Sequence, residues 1–225
     1  MNEKLKAFQD EFSEITAECQ RFCFMSRAKE FQLEACEKLS TLREKASGLK
    51  EQTIAAKDED SANAMLSFEE TIDALLGELR MWVALKEDDP SSAWSFLVNA
   101  QGAARAAMQA HEVARHLGGY IERLYAVEQL LFPPQVFFSP SIVIEHSKCS
   151  ICGREYGECD HVAGRAYMGE MCVRIITDIK EVREVSLVNE PANKHARILQ
   201  ITDDGMTRDF LTWRVISDPS SKENR

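Results

Sequence analysis

Apolar side chains recur at alternating intervals of three and four residues from Leu5 to Phe22, which places them along one face of an α-helix. A second apolar series with a different phase runs from Phe24 to Leu49, so a stutter or bend is expected near residues 23–28. No glycine or proline interrupts the chain before Gly48. We therefore expect one helix over about residues 3–56, about 80 Å long at about 1.5 Å per residue.

Three further helices are expected before residue 133. The cluster Asp58-Glu59-Asp60-Ser61 supplies N-cap candidates for one of them and Asp89 caps another, while Pro90 suits a first helical turn because its missing N–H costs nothing there. The first of these helices should end near Lys86, and the last should span about Tyr120 to Phe132. Between them lies an alanine-rich helix that allows close approach of a neighbour. These patterns predict an antiparallel helical bundle or coiled coil around the long first helix.

The pattern changes after Pro134 to short alternating or β-branched runs, which are typical of antiparallel strands. We therefore expect an α+β protein with a helical bundle in residues 1–132, a small antiparallel β-domain in residues 133–217 and a flexible tail in residues 218–225. The predicted strands cover residues 136–138, 141–144, 173–176, 182–188, 196–201 and 210–216.

The net charge of the chain limits the kinds of partner that it is expected to bind. The chain has 27 basic and 37 acidic residues, a net charge of −10, and residues 1–132 hold 15 of the basic and 23 of the acidic ones. This excess of acid opposes general attraction to nucleic acid or to an anionic membrane. The most apolar stretch, Leu130 to Phe138, contains Pro133 and Pro134, so no membrane span is expected. With no apolar signal segment after the amino terminus, we expect a cytoplasmic protein.

The richest chemistry lies in the β-domain. Seven cysteines are an odd number, and without an export signal they favour free thiols and metal ligands over a disulfide framework. Cys149 and Cys152 form a CxxC pair followed by Gly153, the usual form of a zinc knuckle, in which glycine accepts a positive φ. Cys159 and His161 supply a second pair about seven residues later. The spacing predicts a closed tetrahedral Zn²⁺ site that stabilises the β-domain.

A fifth candidate ligand leaves the assignment open. Cys172 follows His161 after two glycines and can replace either His161 or Cys159 in the coordination sphere. The set of ligands without Cys172 closes the shortest loops and is favoured, so Cys172 is expected to be a substitute ligand or a neighbouring thiol. The predicted ligands are therefore Cys149, Cys152, Cys159 and His161.

The segment CSICGREYGECDHVAGRAYMGEMC and the later EVSLVNEPAN at residues 184–193 together resemble a carboxy-terminal region of phage prohead-protease-like and other phage-derived proteins. The resemblance extends from about Ser147 to Gln200 and does not include the helical region. It implies that the SLV and PAN residues belong to a late strand of the capsid-maturation protease fold. The catalytic His and Ser of that family lie upstream and have no match here. Ser186 and His195 lack an orienting motif, so protease activity is not carried over.

Three functions follow from these patterns. The first is a non-enzymatic zinc-containing interaction or scaffold protein that binds a protein partner, with a phage or phage-defence role implied by the resemblance. The second is a nucleic-acid-binding zinc protein, which the net charge disfavours. The third is a degenerate prohead-protease-like hydrolase. Basic residues beside the knuckle that would serve the second function are Lys148, Arg154, Arg165 and Arg174.

Self-association is expected from the length of the first helix. Its partner helices would span about 38, 38 and 20 Å, so they cannot cover a helix of about 80 Å. The uncovered apolar stripe predicts a homodimer formed through the helical domain. If the helix instead breaks near residues 23–28 into a hairpin, a compact monomeric bundle is expected.

Overall fold

The computed structural model describes residues 2–217, in which helices are followed by small antiparallel sheets, as the α+β expectation requires. The predicted tail at residues 218–225 lies outside the described residues. A short 3-10 helix, Glu112–Leu117, separates the last two α-helices. The α-helices are α1 (Asn2–Gln20), α2 (Lys29–Ala55), α3 (Glu59–Lys86), α4 (Pro90–Ala110) and α5 (Gly118–Leu131).

The expectation of one continuous helix over residues 3–56 is wrong, because the chain turns back between α1 and α2. The turn contains neither glycine nor proline, but its backbone carbonyls have a partner. The buried amide of Gln32 donates from Nε2 to the carbonyl oxygens of Phe22 and Phe24, each at 2.9 Å. Burial of Cys23, with 0% exposure, holds the turn against the core.

The break between α1 and α2 bears on the expected helical homodimer, because that expectation assumed one helix of about 80 Å. Helix α1 runs antiparallel to α2, with Lys38 paired to Glu18 at one point along the hairpin. Its Phe12 ring packs on Phe68 of α3, with ring centroids 4.6 Å apart. Because the hairpin covers its own apolar stripe, the helical domain has no long uncovered face of the kind that the dimer argument required.

Helix α3 is the central helix of the bundle, since 18 of its 28 residues are buried. It packs between α2 and α4. Asp58 is the N-cap within the predicted cluster, where it accepts a hydrogen bond from the Ser61 amide at 3.2 Å, and the predicted cap Asp89 is confirmed by a hydrogen bond from the Ser92 amide at 3.0 Å. The end of α3 at Lys86 is also where the sequence placed it.

The alanine-rich surface of α4 allows the predicted close approach at Gly77 of α3. A Cβ at this position would lie 2.9 Å from both the Ala100 Cβ and the Phe96 carbonyl oxygen. Because backbone stands in the way, the two helices would have to separate. We expect Gly77→Ala to destabilise the protein by about 1–3 kcal/mol, although alanine is the better helix former.

Gly102 of α4 supplies the matched control, because a Cβ there meets nothing within 4 Å. Gly102→Ala should be neutral or stabilising by up to about 1 kcal/mol. Thermal denaturation of the two variants beside the parent tests the difference. Equal melting temperatures for both variants would refute the tight contact.

The strands after α5 are longer and more divided than the sequence predicted. The first two predicted strands form one strand, and so do the next two, whereas the expected single sheet is three separate antiparallel sheets. Residues 206–209 form a strand that was not predicted. The strands are β1 (Phe137–Cys149) with β4 (Arg174–Val188), β2 (Ala166–Tyr167) with β3 (Glu170–Met171), and β5 (Gln200–Asp203), β6 (Met206–Asp209) and β7 (Val215–Ser217).

Pro140 does not interrupt β1, for a reason of hydrogen-bond direction. The Phe138 amide points away from β4 and donates to the Ala196 carbonyl at 2.7 Å. Two residues later the amide position points to the same side, so the missing N–H of Pro140 removes no bond to β4. The two strands therefore pair as one long ribbon from residue 137 to residue 149.

The β-region is attached to the bundle at the end where α3 stops and α4 begins. The Trp94 indole of α4 packs on Phe137 and donates to the Lys194 carbonyl at 3.2 Å. Arg214 makes a bidentate ion pair with Asp88, at 2.7 and 2.8 Å. These contacts fix the start of β1, and the strand then extends toward the cysteine-rich segment.

Candidate metal centre

Four side chains meet where β1 ends. The donor atoms of Cys149, Cys152, Cys159 and His161 all lie within 4.8 Å of one another, so together they could hold a metal ion. These are the four residues that the sequence predicted as ligands. The chain brings them together by two tight turns within thirteen residues.

The first turn is closed by the backbone around Cys149. The Gly153 amide donates to the Cys149 carbonyl at 2.9 Å, and the Cys149 amide donates to the Arg154 carbonyl at 2.9 Å. Gly153 has a φ of 71°, the positive value expected for it, and Gly157 has a φ of 104° in the second turn. This geometry directs both thiols of the CxxC pair to one side.

Backbone amides favour thiolates in the first pair. Burial raises the pKa of Cys149, but hydrogen bonds from the amides of Cys152 and Ile151 outweigh it and bring that pKa to about 7. The backbone amide and the guanidinium of Arg154 lower the pKa of Cys152. Since the thiolate is the form that binds metal, this pair is prepared for coordination near neutral pH.

In the second pair, the pKa of Cys159 is shifted in the opposite direction. The His161 amide acts to lower the pKa of Cys159, but burial and the nearby thiols of Cys152 and Cys149 raise it overall. Several thiolates this close repel one another unless a cation lies between them. The crowding of sulfur atoms therefore fits a bound metal ion.

His161 gives a second, independent sign of fit. Its Nδ1 atom is buried and has no hydrogen-bond partner among the described residues. The ring is held edge-on by Tyr167, with ring centroids 4.6 Å apart and planes at 85°. Buried polar atoms are nearly always paired, and coordination to a metal would satisfy this nitrogen.

Cys172 lies behind the cluster. Its fully buried Sγ is 3.8 Å from the Sγ of Cys149, yet it is outside the group of four mutually close donors. Burial and the neighbouring Cys149 raise the pKa of Cys172, which favours the neutral thiol. This placement favours the role of a neighbouring thiol over that of a ligand.

We therefore expect Cys172→Ser to keep the bound metal and Cys159→Ser to lose it. Both substitutions remove one sulfur atom close to the candidate metal centre, so they form a matched pair. Metal content per chain, measured by elemental mass spectrometry after gel filtration, distinguishes them. Loss of metal in the Cys172 variant with retention in the Cys159 variant would exchange the two assignments.

The knuckle is also tied to the helical bundle by one amide side chain. Asn63 of α3 donates from Nδ2 to the Ala166 carbonyl at 3.3 Å and accepts at Oδ1 from the Gly169 amide at 2.9 Å. It thereby pairs with the β2–β3 hairpin as a neighbouring strand would. Gly169 packs closely on Lys50 of α2. Sequence analysis missed Asn63, because an asparagine within a helix does not indicate a partner 106 residues away.

Two of the four basic residues near the knuckle have internal roles. Arg154 hydrogen-bonds to the Cys152 thiol, which raises the pKa of the guanidinium. Arg174 donates to the Ser147 hydroxyl at 2.8 Å and lies over the ring of Tyr156. All four side chains are exposed to solvent. Arg154 and Arg174 therefore make contacts within the knuckle while still facing solvent.

Ser186 and His195 each bond to other groups. The Ser186 hydroxyl faces Glu184 at 3.5 Å, and His195 Nε2 lies 3.1 Å from Oδ1 of Asn99 in α4. Neither contact provides the base next to a nucleophile that hydrolysis by a serine would need.

Comparisons with protein-family models, curated proteins and solved structures find no match to this chain. The resemblance to prohead-protease-like proteins therefore stays a prediction. Among the helices of residues 2–217, none is both long enough and apolar enough to cross a membrane.

Proposed function

We propose that this protein is a non-enzymatic, zinc-containing interaction or scaffold protein. The observation that carries the proposal is the convergence of Cys149, Cys152, Cys159 and His161 within 4.8 Å. Thiolate and imidazole donors suit Zn²⁺, and four protein ligands complete its tetrahedron. A catalytic zinc ion needs an open position for water, which this donor set does not leave.

Zinc, when bound, supplies the positive charge that offsets the crowded thiolates. Contacts within the chain then connect the metal-binding loop to the rest of the fold. The loop of residues 149–161 supports the β2–β3 hairpin, and Asn63 holds the hairpin on α3. The far end of the β1–β4 ribbon is fastened at Trp94. Zinc at this site therefore stabilises the end of the β1–β4 ribbon that the hairpin joins to α3.

Charge supports a protein partner over nucleic acid. The net charge of −10 opposes a phosphate backbone. The resemblance to phage-derived proteins leads us to place this interaction in a phage or phage-defence setting, and gene neighbourhood would test that setting.

Cobalt substitution tests the proposed closed site. The Co²⁺ form should bind one ion per chain and show the intense visible absorption of tetrahedral cobalt with thiolate ligands. Added azide should leave that spectrum unchanged, because no coordination position is open. Cys152→Ser should abolish the spectrum, whereas Cys36→Ser in α2 should not. A spectrum that shifts with azide would indicate an open site and would overturn the structural role.

A further inference from the structure

The β1–β4 ribbon carries its apolar residues in matched pairs. Its register places four residues of β1, at every second position, opposite apolar residues of β4. Residues at every second position of a strand share one face, so these pairs form a continuous apolar ladder. The pairs are Phe138 with Leu187, Pro140 with Val185, Ile142 with Val182 and Ile144 with Ile179.

Irregularities in the register keep this ladder on one face. In β4 the apolar residues Ile179, Val182 and Val185 are spaced by three, which in a regular strand would alternate between faces. The register skips Arg183 and Lys180, so each of these three residues again meets an apolar residue of β1. Bulges of this kind are built features of a sheet, and here they separate apolar from polar positions.

The ladder is open to solvent over most of the ribbon. Leu187, Val185 and Val182 are 61%, 60% and 59% exposed, and Phe138 and Ile179 are 45% and 46% exposed. Within the described residues no helix packs extensively on β1 or β4. A two-stranded ribbon is marginally stable alone, and an exposed apolar patch of this kind is typical of an interaction surface.

We infer that the ladder is the docking surface for a second copy of this chain, packed face to face about a two-fold axis. This inference names the partner of the proposed interaction function and rests on it. Two identical ladders can form a four-stranded sandwich in which each copy supplies the same residues.

Charge and area both favour a second copy. Strands β1 and β4 contain four basic and four acidic residues, so the ribbon is neutral within a chain whose net charge is −10. Two copies can therefore meet here with little repulsion, unlike at the acidic helical surface. The ladder comprises eight apolar side chains, five of which are 45–61% exposed. Stable interfaces bury about 800 Å² per partner, which the ladder and its rim together can reach.

The mass of the zinc-loaded full chain in solution tests the inference. Light scattering at micromolar concentration should give about twice the 25.5 kDa protomer mass. Val182→Lys, in the middle of the ladder, should weaken the dimer at least tenfold, on the order of a hot-spot substitution. Ser141→Lys adds the same charge on the opposite face and should leave the dimer intact. Val185→Lys provides a second ladder variant should the first fold poorly.

Zinc content measured on the same samples separates this inference from the zinc assignment. A zinc-loaded protein that stays a monomer would overturn the interface and leave the metal site standing. A dimer unaffected by either ladder variant would also overturn it, since another surface would then be responsible. A dimer that lacks zinc but dissociates on Val182→Lys would support the interface and defeat the zinc assignment.

Discussion

Cys152→Ser should release the metal and unfold the knuckle and its ribbon while leaving the five helices formed. The β-region between Phe138 and Val188 has few buried apolar side chains of its own. Binding of structural zinc supplies about 10–16 kcal/mol in small zinc domains, so losing one ligand removes most of what holds such a region together. Helices α1, α2 and α3 share a core that contains no residue of the β-region, so the bundle should keep its far-ultraviolet circular dichroism.

Amide hydrogen exchange tests this expectation separately for the strands and the helices. Amides of β1 and β4 should exchange far faster in Cys152→Ser, whereas amides of α3 should remain protected. Cys36→Ser, which removes a half-buried thiol of α2 distant in sequence from the knuckle, is the control. Unchanged protection of β1 and β4 in a metal-free Cys152 variant would mean that the metal does not hold the ribbon.

Of the proposed substitutions in the helical core, Glu78→Ala should lower the free energy of unfolding most. The Glu78 side chain has 0% exposure and pairs with the Arg123 guanidinium. It also accepts hydrogen bonds from the Tyr120 hydroxyl at 2.9 Å and from the Trp82 indole at 3.4 Å. Burial raises the pKa of Tyr120 well above its ordinary value, so the phenol remains a donor to this carboxylate.

Removing the carboxylate leaves Arg123 without its ion-pair partner and leaves the Tyr120 hydroxyl with only the Ala74 carbonyl at 3.2 Å. Loss of one member of a buried ion pair costs about 3–5 kcal/mol, and we expect about 3 kcal/mol because water can still reach Arg123. Glu18→Ala breaks the exposed pair with Lys38 and should cost less than about 1 kcal/mol. Urea denaturation gives both free energies of unfolding. Equal losses in the two variants would contradict the account of the Glu78 network.

Local patterns of the sequence predicted the parts of the fold that local chemistry decides. Asp58 and Asp89 cap helices through residues three positions away, and the CxxC turn depends on Gly153. The four donors of the knuckle lie within one short loop, so their spacing alone was sufficient to bring them together. These are the features for which sequence separation and spatial separation are both small.

Predictions from the sequence failed where the structure depends on a contact with a residue far away in sequence or in an earlier element. The change of apolar phase near residues 23–28 located the turn between α1 and α2, but the turn depends on Gln32 reaching back to the Phe22 and Phe24 carbonyls, which no apolar period reveals. Residues 139–140 were expected to separate two strands, but the Phe138 amide on that side of β1 bonds to Ala196, so the missing N–H of Pro140 removes no bond to β4. Asn63 acts across more than a hundred residues, and its partner could be found only in the folded chain.

X-ray absorption at the zinc edge of the purified protein tests the central claim most directly, because it identifies both the metal and its ligands. The account predicts one zinc ion per chain with three sulfur neighbours at about 2.3 Å and one nitrogen at about 2.0–2.1 Å. The nitrogen should be absent from the spectrum of His161→Ala. A shell of four sulfur atoms in the parent protein would place Cys172 in the site instead of His161, and protein that folds without zinc would contradict the claim altogether.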